Sequence, residues 1–150
     1  MKLNCFLICD DIRNELGNKQ SLIGVYDNVI SFSMPQKEIG KWPKVIKLGI
    51  YIKLEFENED EKASFQRIKL EYSINNETVT LTDNSRPKPS PSIADMNGIN
   101  IGAVVNQFVI NHPGELNFHC IVYDKDNNII NGFVRKIAVQ EEIIKQNGIV

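Results

Sequence analysis

Histidine, cysteine and tryptophan are scarce in this 150-residue chain, which holds two, three and one of them. With His112 and His119 as its only histidines, the chain cannot build a site from several imidazoles. Cys5, Cys9 and Cys120 make an odd count, which argues against a closed disulfide framework. Each lies in an apolar stretch, where a free cysteine behaves as a small hydrophobe, and reduced thiols suit a cytoplasmic location. No apolar run approaches the roughly 20 residues that span a bilayer, so no membrane span is expected. The run over residues 3–9 follows Lys2 but is only about seven residues long, and Asp10 and Asp11 come next without a small-residue cleavage site, so export is not expected.

An excess of charge of one sign is lacking as well. Lys and Arg number 17 against 19 Asp and Glu, for a net charge of −2. Nucleic-acid binders carry a basic stripe, and no nucleic-acid partner is expected here. The densest basic run, Lys41, Lys44 and Lys47 around Trp42, reads as a solvated loop leading into a strand. The Gly-x-Ser-x-Gly elbow is absent, as are a phosphate loop and a dinucleotide-binding glycine pattern. No cofactor is expected, and the balance leans away from an enzyme.

What is present is strand pattern. The composition, 42% hydrophobic and 24% charged, suits a packed core rather than disorder, and the length suits one domain, taken as residues 1–140 with a tail over 141–150 that reads as a short helix or a frayed end. Runs rich in Val, Ile, Phe, Tyr and Thr recur between Asn, Asp, Gly and Pro. They cover residues 2–9, 20–26, 29–33, 45–57, 64–74, 77–82, 99–110, 115–123 and 129–139. In the fourth run Ile46, Leu48, Ile50, Ile52, Leu54 and Phe56 are spaced by two, so they share one face of a strand. The step of three from Phe65 to Ile68 points to a bulge, and Asn75-Asn76 to a hairpin turn. Pro87, Pro89 and Pro91 make residues 83–96 a crossing loop. The one other helix candidate is 11–16, with Asp10 as N-cap. About eight strands without a βα alternation predict an all-β fold: an antiparallel β-sandwich with Greek-key connections, immunoglobulin-like or C2-like.

Candidate chemistry is sparse. Asp124-x-Asp126-x-Asn128 has the oxygen spacing that opens an EF-hand loop, but Ile129 and Arg135 stand where that loop needs Gly and Glu. Asp124 and Asp126 remain candidates for calcium of the C2 kind, which gathers carboxylates from end loops; Asp10, Asp11, Asp27 and Asp83 also lie at strand ends. Turn chemistry is the simpler account, since Asp and Asn bond their own backbone there. Cys120 and His119 are adjacent and so point to opposite faces of a strand, a poor nucleophile pair. Trp42 and Tyr26 could anchor a partner, although an end plug is the simpler role for Trp42.

The segment Cys9-Asp10-Asp11-Ile12-Arg13, followed by Glu15, Lys19 and Ser21-Leu22-Ile23-Gly24-Val25-Tyr26, resembles an uncharacterised family of small bacterial and phage-associated proteins, a domain of unknown function. The resemblance is strongest over residues 3–26. Trp42-Pro43-Lys44 before a Leu/Ile strand fits it, as does Pro113-Gly114 between two strands. It implies a β-sandwich and no activity. Physically, Asp10 can cap the turn after the first strand, Arg13 can pair with Asp10, Asp11 or Glu15, and Gly24 within a strand marks a bulge or a close backbone approach. Asp10, Asp11 and Arg13 are therefore the candidate binding residues. The leading functional expectation is a non-enzymatic protein-binding or assembly module, using sheet edges or end loops. The alternatives are a Ca²⁺-dependent C2-like module for lipid or protein, and an enzyme with its site at Asp10, Asp11 and Arg13.

Overall fold

The computed structural model describes residues 1–17, 19–85 and 97–144. Among these residues nine strands form two sheets: β1 Lys2–Glu15, β2 Lys19–Tyr26, β3 Val29–Met34, β4 Lys44–Glu55, β5 Phe65–Ile74, β6 Glu77–Ser85, β7 Gly98–Ile110, β8 Gly114–Asp124 and β9 Ile129–Ile143. One sheet has the order β2-β1-β4-β7 and the other β3-β9-β8-β5-β6. This is the expected all-β sandwich. The chain passes between the sheets after β2, β3, β4, β6 and β7. Strands β1, β4 and β7 face β5, β8 and β9 in the order of A, B, E and C, F, G of an immunoglobulin domain. Among the described residues no strand occupies the place beside β7 that strand D takes there. One pair departs from the antiparallel pattern: β3 runs parallel to β9, from Val29 opposite Ala138 to Met34 opposite Ile143.

The alternation in β4 does what its spacing predicts. Leu48, Ile50, Ile52 and Leu54 are buried on the inner face, against Leu70 of β5 and Phe118, Cys120 and Val122 of β8. Tyr72, Phe108 and Phe118 add an aromatic contact between the sheets, with Tyr72 and Phe108 centroids 4.7 Å apart. Asn75 and Asn76 both have positive φ, +47° and +66°, the geometry of a two-residue hairpin turn. The ladder between β5 and β8 slips between Phe65 and Arg67, where the spacing predicted a bulge.

Trp42 closes one end. Its ring meets Phe32 edge-on at 5.8 Å and lies 5.3 Å from Lys44 Nζ. Lys44 Nζ is 2.9 Å from the Glu141 carboxylate, which also accepts the Gly40 N–H at 2.8 Å. Lys44 and that amide hold the Glu141 carboxyl below its ordinary range.

Four expectations change. Residues 11–16 are not a helix capped by Asp10: β1 continues to Glu15 because Asp11 through Glu15 pair with Ile23 through Lys19 of β2. Strand β9 runs to Ile143, so residues 141–143 belong to the ladder with β3 rather than to a helical or frayed tail, while 145–150 lie outside the described residues. Residues 83–85 extend β6 instead of beginning the crossing loop, because Asp83 and Ser85 stay opposite Lys69 and Arg67; residues 86–96 lie outside the described set. A short helix not foreseen, α1 Glu59–Ser64, joins β4 to β5. Asn58 caps it by accepting the Glu61 N–H at 2.9 Å, and three acids sit in its first turn, where the helix dipole favours them.

Two outcomes follow from the core. Phe118→Ala removes a fully buried ring, and urea denaturation should show a loss of about 3–5 kcal/mol. Burial pushes the Cys120 thiol from 9.0 up to about 12. Both folded and unfolded chains keep this proton below pH 9; between about 9 and 12 only the unfolded chain loses it. Stability should therefore fall as pH rises through that window, by up to about 1.4 kcal/mol per pH unit from this group, and Cys120→Ala should have the shallower alkaline slope.

Candidate functional site

Beyond Cys9, β1 parts from β4, and its last residues continue with β2 as a two-stranded arm. Glycines let this arm cross the outer face of the sheet. A Cβ on Gly49 would stand 2.8 Å from Cys9 Sγ and 3.0 Å from an Ile12 carbon, and one on Gly102 would stand 3.3 Å from the Gln20 amide nitrogen. The arm thus lies over β4 and β7. Cys9 is sealed beneath it, its thiol 3.4 Å from the Asp11 carbonyl oxygen and 3.6 Å from that of Gly49. Desolvation raises its pKa, so the thiol stays protonated.

The three candidate binding residues fall on this arm but do not converge. Asp10 accepts a hydrogen bond from the Tyr26 hydroxyl and lies against Gly24, whose φ is +63°. A Cβ on Gly24 would come 2.7 Å from Asp10 Cγ. The close approach expected at Gly24 is therefore to the Asp10 side chain, and Asp10 caps no turn. Burial and the Asp10 carboxylate raise the Tyr26 pKa, so its hydroxyl remains a donor. Asp11 points the other way. Its carboxylate meets Lys47 Nζ at 2.5 Å and Arg13 Nε at 3.5 Å, and accepts the Ile12 N–H at 2.9 Å. Lys47, first among these partners, holds the Asp11 carboxyl below its ordinary range. Arg13 is mostly exposed. The acids are thus split across the two faces of one strand, and each is already engaged by a partner in the chain.

The second candidate set is a turn. Asp124 Oδ1 accepts the N–H groups of Asp126 and Asn128 at 2.8 and 2.9 Å, and Oδ2 accepts from the Asn128 side chain at 3.1 Å. These bonds hold the Asp124 carboxyl low and close the β8–β9 hairpin. Asp83, Asp124 and Asp126 lie at the end that carries α1, whereas Asp10 and Asp11 lie toward the other. Among the described residues no three His, Cys, Asp or Glu side chains group to hold a metal. The basic run is neutralised residue by residue: Lys41 by Glu38, Lys44 by Glu141 and Lys47 by Asp11. His119 faces Ser73 at 3.4 Å on the outer side of its sheet, while Cys120 sits in the core.

Sequence reading expects sheet edges or end loops to bind but leaves unmarked which edge; the strand order distinguishes one. Among the described residues four strands border the sandwich, and three carry devices that blunt an edge. Strand β2 has Lys19 and a kink at Gly24; β3 is six residues long, lies parallel to β9 and is followed by Pro35; β6 has Glu77, Asp83 and a slipped register. Strand β7 is 13 residues long and holds neither charge nor proline. Its pairing with β4 is regular over eight residues, from Val105 opposite Leu48 to Gly98 opposite Glu55, and among the described residues nothing pairs with its other side. Apolar surface flanks it. On the outer face Val104 is 40% exposed, and the cross-strand pair Val45 and Val109 is 57% and 42% exposed. On the inner side, Ile99 and Ile101 border a crevice of about 180 Å³ with Phe65, Ile68 and Thr82. A further concavity, of about 370 Å³, lies beside Asn4, Lys53 and Asn100, and one of about 470 Å³ beside Pro35 and Ile143. Asp10, Asp11 and Arg13 line none of the three.

The profile of a family of unknown function, DUF6941, matches residues 4–131. This chain belongs to that family. No curated protein and no solved structure matches it. The stretch shared with DUF6941 begins in β1 and ends early in β9, so it takes in the whole arm, the Asp10–Gly24 contact and all of β7. Membership in DUF6941 carries no assigned activity. No described helix is long and apolar enough to cross a membrane.

The Asp10–Gly24 contact is open to test. Gly24→Ala imposes both a positive φ and an overlap with the Asp10 carboxylate, and should cost about 1–3 kcal/mol by chemical denaturation. In Asp10→Ala/Gly24→Ala the overlap is gone, so the double variant should lose clearly less than the two single losses added together.

Proposed function

We propose that this chain is a non-enzymatic protein-binding module, acting in the cytoplasm, that captures an extended segment along the edge of β7 that no described residue pairs. The observation that carries this reading is the contrast between β7 and the other three edges: it alone is long, regular and uncharged. A row of unpaired backbone N–H and C=O groups is a template for a further strand. A strand laid against it gains main-chain hydrogen bonds whatever its sequence, and its alternate side chains supply specificity. Here those side chains would enter the crevice beside Ile99 and Ile101 on one face and meet Val104 and Val109 on the other.

The arm at Asp10, Asp11 and Arg13 has a supporting role in this reading. Its charges are satisfied within the chain, and it braces the outer face of β4 and β7. Neither a calcium site nor an enzyme site has a convergent group of side chains to favour it among the described residues.

Val104→Lys tests the edge. Its side chain faces solvent, so the fold should tolerate it and the thermal midpoint should move by no more than a few degrees. Proteins co-purified with the tagged wild-type chain should be depleted about tenfold with Val104→Lys and retained with Val134→Lys, which places the same charge on the other sheet, opposite His119 of β8. Equal recovery with both variants would rule out β7 as the docking edge.

A further inference from the structure

We infer that Leu16, at the turn of the arm, is a specificity-determining residue of the β7 edge, an inference that rests on reading β7 as the docking edge. Leu16 overhangs the place of a docked strand. It selects an extended segment of another protein that carries three consecutive apolar residues where it passes Gly102.

The course of the arm is the first argument. Cys9 lies opposite Gly49 of β4, and Gly49 lies opposite Val104 of β7. Beyond Cys9 the arm runs obliquely toward β7. A Cβ on Gly49 would stand 3.0 Å from one Ile12 carbon, and one on Gly102 would stand 3.8 Å from another Ile12 carbon and 3.3 Å from the Gln20 amide nitrogen. Ile12 therefore bridges β4 and β7, and Gln20, whose amide donates to Asn14 Oδ1 at 3.0 Å, reaches over β7. No described strand of this sheet lies beyond β7. Past the Asn14–Gln20 pair the arm continues with Glu15 opposite Lys19, and then turns at Leu16 and Gly17. Two residues of strand span about 6.6 Å, and a strand added beside β7 would lie about 4.8 Å from it. The end of the arm thus stands over the place of that strand.

Exposure is the second argument. Leu16 is 96% exposed, more than any other large apolar side chain among the described residues. A single exposed leucine is ordinary, but this one stands above an edge whose unpaired backbone groups invite a strand. It touches little within the chain, and a strand on β7 would give it a surface to cover. Residues directly opposite across a ladder share a face. The docked residue beside Gly102 would therefore point outward, under the arm, and its two neighbours inward, beside Ile101 and Ala103. The inward pair meets the crevice lined by Phe65, Ile68, Ile99 and Ile101. The outward residue meets Leu16, and Gly102 has no side chain to compete for that space. Burial against a leucine favours an apolar residue there, and β7 holds no charge to pair with one on the segment. An ordinary amphipathic strand would satisfy the crevice alone; the arm adds a demand on its other face.

A displayed library of random linear peptides, selected on the purified chain, should yield peptides that share a run of three apolar residues. Selection on Leu16→Ser should keep an apolar residue at every second position and lose the preference for one between them. A peptide selected on the wild type should bind Leu16→Ser about tenfold more weakly, the effect of losing a leucine contact. Because Leu16 is exposed, this substitution should move the thermal midpoint by no more than a few degrees. Val104→Lys separates this inference from the edge reading. Peptides lost with Val104→Lys but bound equally by the wild type and Leu16→Ser overturn the role of Leu16 and leave the edge reading in place. Peptides that survive Val104→Lys, or the enrichment of no peptide at all, overturn both.

Discussion

The sandwich depends on one packing relation: the inner face of β4 against those of β5 and β8. Leu48, Ile50, Ile52 and Leu54 from one sheet and Leu70, Phe118, Cys120 and Val122 from the other are essentially withdrawn from water. Because the side-chain period of a strand is two, this burial fixes the register of all three strands; a slip by one residue would turn these rows to solvent. Once β4 is set, β1 and β7 can pair only on its two sides, and β8 seats β5 and β9 in the same way. Among the described residues no charged or polar side chain is buried, so burial of apolar surface meets little opposition from desolvation.

The arm formed by the end of β1 and by β2 obeys a different constraint. It leaves the plane of its sheet and needs room to cross, which Gly49 and Gly102 supply by having no side chain on the outer face. Gly24 supplies a positive φ and a seat for Asp10. The Cys-Asp-Asp-Ile-Arg segment is accounted for residue by residue: Cys9 is sealed under the crossing, Asp10 ties to Tyr26, Asp11 ties to Lys47 of β4, and Arg13 adds to that ion pair. A motif that invites a search for chemistry is thereby explained as the fastening of a strand that changes course.

The sequence made the strands legible where one face is buried and the other is not. The alternation in β4, the bulge at Phe65 and the Asn75-Asn76 turn are all local signals, and they hold. Residues 11–16 misled because their polarity suits a capped first turn of helix, and only their pairing with β2, which depends on the hairpin beyond Glu15, makes them strand. The parallel pairing of β3 with β9 joins residues more than 100 positions apart and leaves no local trace. Helix α1 is too short for an apolar period, although Asn58 and the acids after it were a readable cap. The three candidate binding residues were found in the sequence, but their orientation was not, since the curl of the arm decides which face each one presents. The neutrality of residues 98–110 stands in the sequence; that they form an edge does not, because an edge is a property of strand order.

That distinction bears on how such a fold acquires a role. A buried strand can be uncharged at no risk, since both its neighbours are supplied by the chain. At an edge the same composition leaves backbone groups that water satisfies but a further strand satisfies with added apolar burial. Strand β7 is uncharged like an interior strand but stands at an edge: its inner residues are half-covered, its outer ones include Asn100, Gly102, Val104 and Val109, and the place of a fourth immunoglobulin strand beside it is taken by none of the described residues. The three other edges show that this chain carries the usual defences where it needs them, in charge, kink and brevity. Their absence from the longest edge is thus a local property of β7 and not a general feature of the composition, and it is the strongest physical reason to look there for what the protein binds.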